Sequence, residues 1–172
     1  LAKNLPQSNA DLAINVGLAG AFDRNLKLGE VVSVVSDFAA EEGAEDGEAF
    51  LSLEEINLRD ANEFPYQEGR LKRSLSADLK QKLGLKEVEA MTVNKVHGNQ
   101  ASIAKIQALF PVQIESMEGA AFFYACLKEG QACMQIRSIS NYVERRDRSS
   151  WEVDLALDNL ALELKAFLNR IS

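Results

Sequence analysis

The sequence is short of the side chains that bind metals. It has one histidine, His97, and two cysteines, Cys126 and Cys133. That is too few for a metal-ligand cluster. A Ser-His-Asp or Cys-His triad would have to use His97, and nothing around it supports one. The cysteines lie in apolar surroundings and read as buried small hydrophobes rather than a disulfide or metal pair. No apolar run approaches the roughly 20 residues of a membrane span, so no membrane partner is expected. No signal peptide is visible, and the expected location is the cytoplasm. Basic residues are outnumbered, 19 against 26 acidic, with a net charge of -7 and a pI near 4.9. Phosphate binding needs clustered Lys and Arg, which excludes a nucleic-acid surface. There is no internal repeat, no low-complexity tract and no signature of disorder.

What remains suits one domain over residues 1–172, with 47% hydrophobic and 26% charged residues to build an ordinary core. Residues 1–7 read as the end of a helix stopped by Pro6. Residues 12–16 read as a short buried strand that ends in a small, glycine-rich turn over residues 17–21. Such a turn lets a ligand reach backbone N–H groups, although the spacing is neither GxGxxG nor a P-loop. Residues 28–35 are β-branched and strand-like. The acidic stretch from Asp37 to Glu48 reads as a solvated loop. Phe64-Pro65-Tyr66 forms an aromatic knot in a loop, fit for a turn, a partner contact or a lid.

In the second half, strands and helices alternate. A helix is expected from Ser74 to Leu83, ended by Gly84, then a strand over 88–93, a turn over 94–98 and a helix over 100–109 stopped by Pro111. A short strand over 112–114 delivers the chain to Met117 and Glu118, which open an apolar helix. Residues 132–141 read as a buried strand. Ser149 and Glu152 fit a capping box for the last helix, whose core face carries Val153, Leu157, Leu160, Leu164, Phe167 and Ile171. This alternation predicts an α/β fold with a mixed or parallel twisted sheet flanked by helices. Ligands bind such sheets beyond the carboxyl ends of strands. The 17–21 turn, the 94–98 turn and the Ser140-Asn141 end are the candidates there.

Several segments together resemble a known family. Asn15-Val16-Gly17-Leu18-Ala19-Gly20-Ala21-Phe22 with Leu28-Gly29-Glu30-Val31-Val32, Glu115-Ser116-Met117-Glu118-Gly119-Ala120-Ala121, and Arg137-Ser138-Ile139-Ser140-Asn141 are similar to segments of the nucleoside phosphorylase and nucleosidase superfamily. Within it, Thr92-Val93-Asn94, Ser116, Asn141 and the run from Tyr142-Val143 to Trp151 resemble the futalosine hydrolases of menaquinone biosynthesis more than the adenosyl-type nucleosidases. The family's first strand, with its water-positioning acid, has no match here, and the chain is expected to lack the family's N-terminal strands.

The resemblance implies hydrolysis of an N-glycosidic bond in a purine nucleoside, with hypoxanthine released from futalosine, no cofactor, no metal and a homo-oligomeric assembly. Glu118 is implied to accept hydrogen bonds from both ribose hydroxyls and to stabilise a cationic transition state. Its alternative is a carboxylate at a helix start, worth ~0.3–1 kcal/mol. Met117 is implied to pack on the sugar, and Ala19 and Gly20 to give close backbone approach. Val96 and His97 are implied to line the base pocket, His97 having a purely structural alternative. Asn141 is implied to hydrogen-bond the leaving base; an amide both donates and accepts without titrating and suits a 6-oxopurine, whereas Asp suits adenine. Unaided, Asn141 reads equally well as a strand-end turn. Arg137 is expected to orient Glu118 or nearby backbone. Arg145, Arg146 and Arg148 are candidates for the substrate's benzoate, or members of a solvated loop. Phe50 and Phe64 are candidates to cover its apolar tail. The rival readings are a methylthioadenosine or adenosylhomocysteine nucleosidase, a phosphorolytic enzyme, and a non-catalytic nucleoside-binding module.

Overall fold

The structure is a computed structural model that describes residues 4–7 and 9–171. In chain order it contains a 3-10 turn at Leu5–Gln7, then β1 (Ala13–Ala21), β2 (Val31–Asp37), β3 (Gly43–Asp46), β4 (Ala49–Ser52), β5 (Leu71–Lys72), α1 (Ala77–Leu83), β6 (Lys86–Thr92), α2 (Gln100–Leu109), β7 (Ile114–Ser116), α3 (Gly119–Lys128), β8 (Cys133–Tyr142), a second 3-10 turn at Arg148–Ser150, and α4 (Val153–Ile171). The helix end expected over residues 1–7 appears as the first 3-10 turn, while residues 1–3 lie outside the described residues.

The helices begin and end where their caps require. Ser76 accepts from the Leu79 N–H at the start of α1, and Gly84 closes it in the left-handed region at φ 64°. Asn99 accepts from Ala101 and Ser102 at the start of α2. The capping box at Ser149 and Glu152 does not form. Asp147 accepts from both the N–H and the hydroxyl of Ser149, which winds a 3-10 turn there, and α4 starts only at Val153. On α4, Ala156, Leu160 and Phe167 are buried, but Leu157 is exposed, so the core stripe is narrower than its sequence spacing suggests.

The sheet is mixed, with order β5-β2-β6-β7-β1-β8. It also closes, because β8 pairs with β2 as well as β1. This is the expected α/β class with a closure the sequence did not announce. β8 is buried along most of its length, as a strand covered on both faces must be. Met134 and Ile136 face Leu160 and Phe167 of α4, while Cys133 and Ile139 join the core beneath α3 with Phe123, Cys126, Val34 and Ile114. Both cysteines are free and buried. Burial pushes the Cys126 thiol up to about 12, consistent with an inert core residue. Among the described residues no helix is long and apolar enough to cross a membrane.

Three expectations change. Residues 17–21 are not a turn. They are the second half of β1, held in register by β8 from Ala13↔Cys133 to Ala21↔Tyr142. Small side chains that read as a turn are here a strand with a parallel partner. Within the loop expected over residues 37–48, Gly43–Asp46 form strand β3, which pairs with β4 in an antiparallel hairpin. Asp37, expected at the start of that loop, is fully buried at the end of β2. A register irregularity between Val34 and Ser36 turns the side-chain alternation over, so Asp37 points inward after Val32 and Val34 have done so.

Candidate functional site

The site forms where the sheet reverses direction. β7 runs antiparallel to β1, which sets Glu115 opposite Gly20. β8 lies on the other side of β1 and carries one extra residue, Ser140, between the pairs Ala19↔Ile139 and Gly20↔Asn141. Bulges re-aim side chains next to functional sites, and this one turns Asn141 out of the interior alternation of Gln135, Arg137 and Ile139. The 94–98 turn after β6 supplies Val96 and His97. One pocket is therefore lined by Gly20, Val96, His97, Glu115, Asn141 and Arg146, with Tyr142, Glu144 and Trp151 at its side.

Gly20 is small because it must be. A Cβ there would lie 3.0 Å from Val143 Cγ2 and 3.3 Å from Asn141 Nδ2. Asn141 Oδ1 accepts from Ser140 Oγ at 2.9 Å, and Nδ2 donates to the Tyr142 carbonyl at 3.0 Å. A primary amide has two N–H donors and two acceptor sites, so one of each remains for a ligand. His97 is not a lone surface residue. Its backbone N–H donates to Glu115 Oε1 at 3.0 Å and its Nδ1 meets Oε2 at 2.7 Å. Burial pushes the Glu115 carboxyl up, while the His97 hydrogen bonds pull it down. Glu115 was quoted in a motif but given no role from sequence. The strand expected over residues 112–114 is instead β7 at Ile114–Ser116, so Glu115 lies inside a buried strand and not after it.

The other expected residues are placed differently. Ala19 is buried in the core and does not line the pocket; its carbonyl accepts from Ser140 Oγ. Met117 is exposed and lines a separate, wide groove with Tyr66, Thr92, Asn94 and Tyr124. Glu118 lies just before α3, exposed, and makes no side-chain capping bond, so its part in the helix is limited to the dipole interaction. Arg137 is 1% exposed and donates to the carbonyls of Asn15 and Ile136 and to Gln135 Oε1. It anchors backbone, as expected, and feels the charges of Asp37 and Glu118. Of the three loop arginines only Arg146 reaches the Asn141 pocket, with its guanidinium 5.0 Å from the Trp151 ring centroid. Phe50 lines a neighbouring groove between the hairpin and α2 that also touches His97, whereas Phe64 is exposed beside Lys128 of α3.

Beneath Met117 and Glu118 lies a buried polar cluster that no sequence motif signalled. Asp37 Oδ1 accepts from Thr92 Oγ1 at 2.9 Å and from the Phe38 N–H at 2.8 Å; Oδ2 accepts from Gln135 Nε2 at 3.2 Å. Thr92 Oγ1 in turn accepts from the Ala120 N–H, and Gln135 Nε2 donates to the Gly119 carbonyl. The first turn of α3 is thus tied to β2, β6 and β8. Burial raises the Asp37 carboxyl to about 6 from 3.8, against the hydrogen bonds and Arg137. Its folded-state value lies above its unfolded one, so the native state holds more protons between pH 4 and 6. Stability therefore falls as pH rises through that window and is flat above it, by at most about 3 kcal/mol for this group. Urea midpoints from pH 4 to 7 for the wild type and Asp37→Asn test this. The wild type should lose stability relative to the variant as pH rises; parallel curves would remove Asp37 from the pH response.

Among the described residues there is no group of three or more His, Cys, Asp or Glu placed to hold a metal ion.

Comparison with known proteins agrees with this architecture. The profile of the phosphorylase superfamily matches residues 3–171. A futalosine hydrolase of Thermus thermophilus is 32% identical over 98% of this chain and 74% of its own length. A futalosine hydrolase of Streptomyces coelicolor is 27% identical over 86% of this chain and 60% of its own length. Among solved structures, native futalosine hydrolase of Helicobacter pylori has a TM-score of 0.77 at 17% identity, covering 98% of this chain and 72% of that one. A methylthioadenosine/adenosylhomocysteine nucleosidase of Colwellia psychrerythraea, in complex with adenine, has a TM-score of 0.76 at 21% identity, covering 98% and 71%. These two structures share the fold; the profile and the Thermus relative carry the family. The chain belongs to the phosphorylase superfamily.

Proposed function

We propose that this chain is part of a cytoplasmic, homo-oligomeric nucleosidase that hydrolyses futalosine and releases hypoxanthine, a step of menaquinone biosynthesis. The observation that carries this reading is Asn141. It stands beside Gly20, Val96 and His97 in one pocket with an N–H and an acceptor site unspent. In this reading Asn141 donates to N7 or O6 of the departing 6-oxopurine, where an ionised Asp would repel O6. Glu118, free of capping duty, grips the ribose diol and places negative charge near the cation that forms as the bond breaks. Met117 lays its thioether against the sugar. Water is the acceptor. A phosphorolytic enzyme needs an anion cradle, and the stretch that offered one, residues 17–21, is strand.

The relatives include a methylthioadenosine/adenosylhomocysteine nucleosidase of a Marinomonas species at 27% identity, which keeps adenine release as the rival. Incubating the protein with futalosine, methylthioadenosine and inosine, with and without phosphate, and resolving the released bases by chromatography decides. Hypoxanthine from futalosine without phosphate is the expected result. Adenine release alone, a phosphate requirement, or binding without turnover would each replace this reading with one of its rivals. Asn141→Asp is expected to lower kcat/KM for the 6-oxopurine nucleoside by about tenfold or more, the size of one hydrogen bond to a polar group lost and a repulsion gained. Unchanged turnover would take Asn141 out of the leaving-group role.

A further inference from the structure

We propose that Asp37 is a positioning residue for Glu118: it fixes the polarity of the Gln135 amide and of the Thr92 hydroxyl, and through them the two backbone groups that follow Glu118. The proposal rests on the nucleosidase reading, in which Glu118 grips the ribose diol, and adds a residue that reading does not use.

Glu118 makes no side-chain capping bond at the start of α3, so its carboxylate is placed by the backbone it stands on. That backbone is held by two groups whose hydrogen-bond sense is not set by their shape. A primary amide looks the same either way round, and a hydroxyl can point its hydrogen in several directions. Gln135 is fully buried. Its Nε2 donates to Asp37 Oδ2 at 3.2 Å and to the Gly119 carbonyl at 3.1 Å, while its Oε1 accepts from Arg137 Nη2 at 3.0 Å. Turned over, the amide would set its oxygen against a carboxylate and a carbonyl, and its NH2 against a guanidinium. Asp37 and Arg137 are the charged members of this set, so they decide which way the amide sits.

Thr92 is fixed in the same manner. Its Oγ1 accepts from the Ala120 N–H at 2.7 Å, and its own hydrogen goes to Asp37 Oδ1 at 2.9 Å. The Ala120 N–H belongs to the first turn of α3, where N–H groups have no partner within the helix. A residue at the end of β6 thus does the capping that Glu118 does not, which leaves the Glu118 carboxylate for a ligand. Asp37 cannot turn to suit another arrangement. Its Oδ1 also takes the Phe38 N–H at 2.8 Å, and the side chain is fully buried at the end of β2. One carboxylate therefore sets a donor against the Gly119 carbonyl and an acceptor against the Ala120 N–H. A two-oxygen grip on a diol depends on where those oxygens stand, and a misplacement of ~1 Å can cost about 10²-fold in rate.

The test reads the ribose grip apart from the base. Inosine and 2′-deoxyinosine are compared as competitors of futalosine hydrolysis, and the binding of free hypoxanthine is measured by calorimetry. In the wild type, inosine should inhibit about tenfold more strongly than 2′-deoxyinosine, the worth of one hydrogen bond to a charged group. Asp37→Asn keeps the size of the side chain but sets an NH2 against the NH2 of Gln135, which escapes only by turning its oxygen to the Gly119 carbonyl. It should cut the inosine preference to about twofold or less, while hypoxanthine binding changes by less than about twofold. Thr92→Val, which keeps the shape and removes the hydroxyl, should also cut the preference, and Thr92→Ser, which keeps the hydroxyl, should retain it. That pair decides the matter where Asp37→Asn does not fold. A general loss of structure would weaken hypoxanthine and both nucleosides together and leave the ratio where it was. An unchanged inosine preference in Asp37→Asn or in Thr92→Val overturns the positioning role while leaving the nucleosidase reading intact. A wild type that hydrolyses futalosine but does not distinguish inosine from 2′-deoxyinosine overturns the diol grip and the positioning role with it. A wild type that does not hydrolyse futalosine overturns the nucleosidase reading as well.

Discussion

Glu118→Gln should abolish most of the nucleosidase activity and leave the fold almost untouched. The expected loss in kcat/KM is about 10²–10³-fold, the size seen when one preorganised electrostatic contact to a transition state is removed. The expected change in stability is within about 1 kcal/mol, because the side chain is exposed at the start of α3, caps nothing, and contributes at most a favourable interaction with the helix dipole. Gln keeps the shape and one acceptor oxygen but removes the charge. In the role proposed for Glu118, this deprives the diol of a two-oxygen acceptor and the developing cation of its counter-charge. Steady-state kinetics paired with thermal melts separate the possibilities. A fall in kcat/KM of less than about threefold would exclude Glu118 from the transition state. A melting temperature that collapses with activity would show that the residue matters to the fold instead.

What could be read in advance followed how local each determinant is. The ends of α1 and α2 were legible because Gly84 and Pro111 act within a turn of them, whereas α1 starts at Ala77 behind its cap Ser76 and not at Ser74. β8 was legible from the apolar Cys133, Met134 and Ile136 at its start, although Gln135, Arg137, Ser138 and Ser140 are buried in it as well. The hairpin β3–β4 was not, since its strands are four residues each and none of their residues is buried, and pairing rather than burial makes them strands. The capping box failed because both of its donors are engaged elsewhere: the Ser149 N–H donates to Asp147, and the Glu152 N–H donates to the Ser140 carbonyl. Asp37 was read as the first residue of a solvated loop because its partners, Thr92 and Gln135, lie 55 and 98 positions away.

The candidate site divides along the same line. Gly20, Val96, His97 and Asn141 share one pocket, and each belongs to a short motif. Their meeting depends on facts no motif contains: the antiparallel turn of β7 against β1 and the extra residue at Ser140. The two carboxylates of one segment, Glu115 and Glu118, part company for that reason. Glu115, in β7, turns into the pocket it shares with Asn141 and bonds His97, whereas Glu118 has left the strand and stands exposed at the start of α3. Sequence reading attended to Glu118 because the helix start and the motif both mark it. Glu115 is held in place by a histidine 18 residues earlier.

Replacing Gly119 with alanine should be the most damaging single-methyl change in the region. Its φ is not the reason; space is. A Cβ there would fall 2.0 Å from Asp37 Oδ2 and 2.4 Å from Gln135 Oε1, well inside the 3.0 Å below which real Cβ contacts do not come. Neither neighbour can swing away cheaply. Asp37 is committed to Thr92, Phe38 and Gln135, and Gln135 to Asp37, Gly119 and Arg137. The strain must go into breaking these bonds or lifting the first turn of α3. Overpacking costs typically 1–3 kcal/mol, and disrupting a buried, paired cluster adds to it, so a loss of about 3 kcal/mol or more is expected. The functional loss should exceed what unfolding explains, because Glu118 precedes the displaced residue directly. A shift of ~1 Å in a positioning element can cost about 10²-fold in rate. A double-mutant cycle identifies the cause. In an Asp37→Ala background the nearer of the two clashing oxygens is gone and Gln135 loses one of the partners that hold it in place, so Gly119→Ala should then cost less than it does alone. Additive costs in that cycle, measured by urea denaturation, would rule out the contact with Asp37 as the reason Gly119 is small.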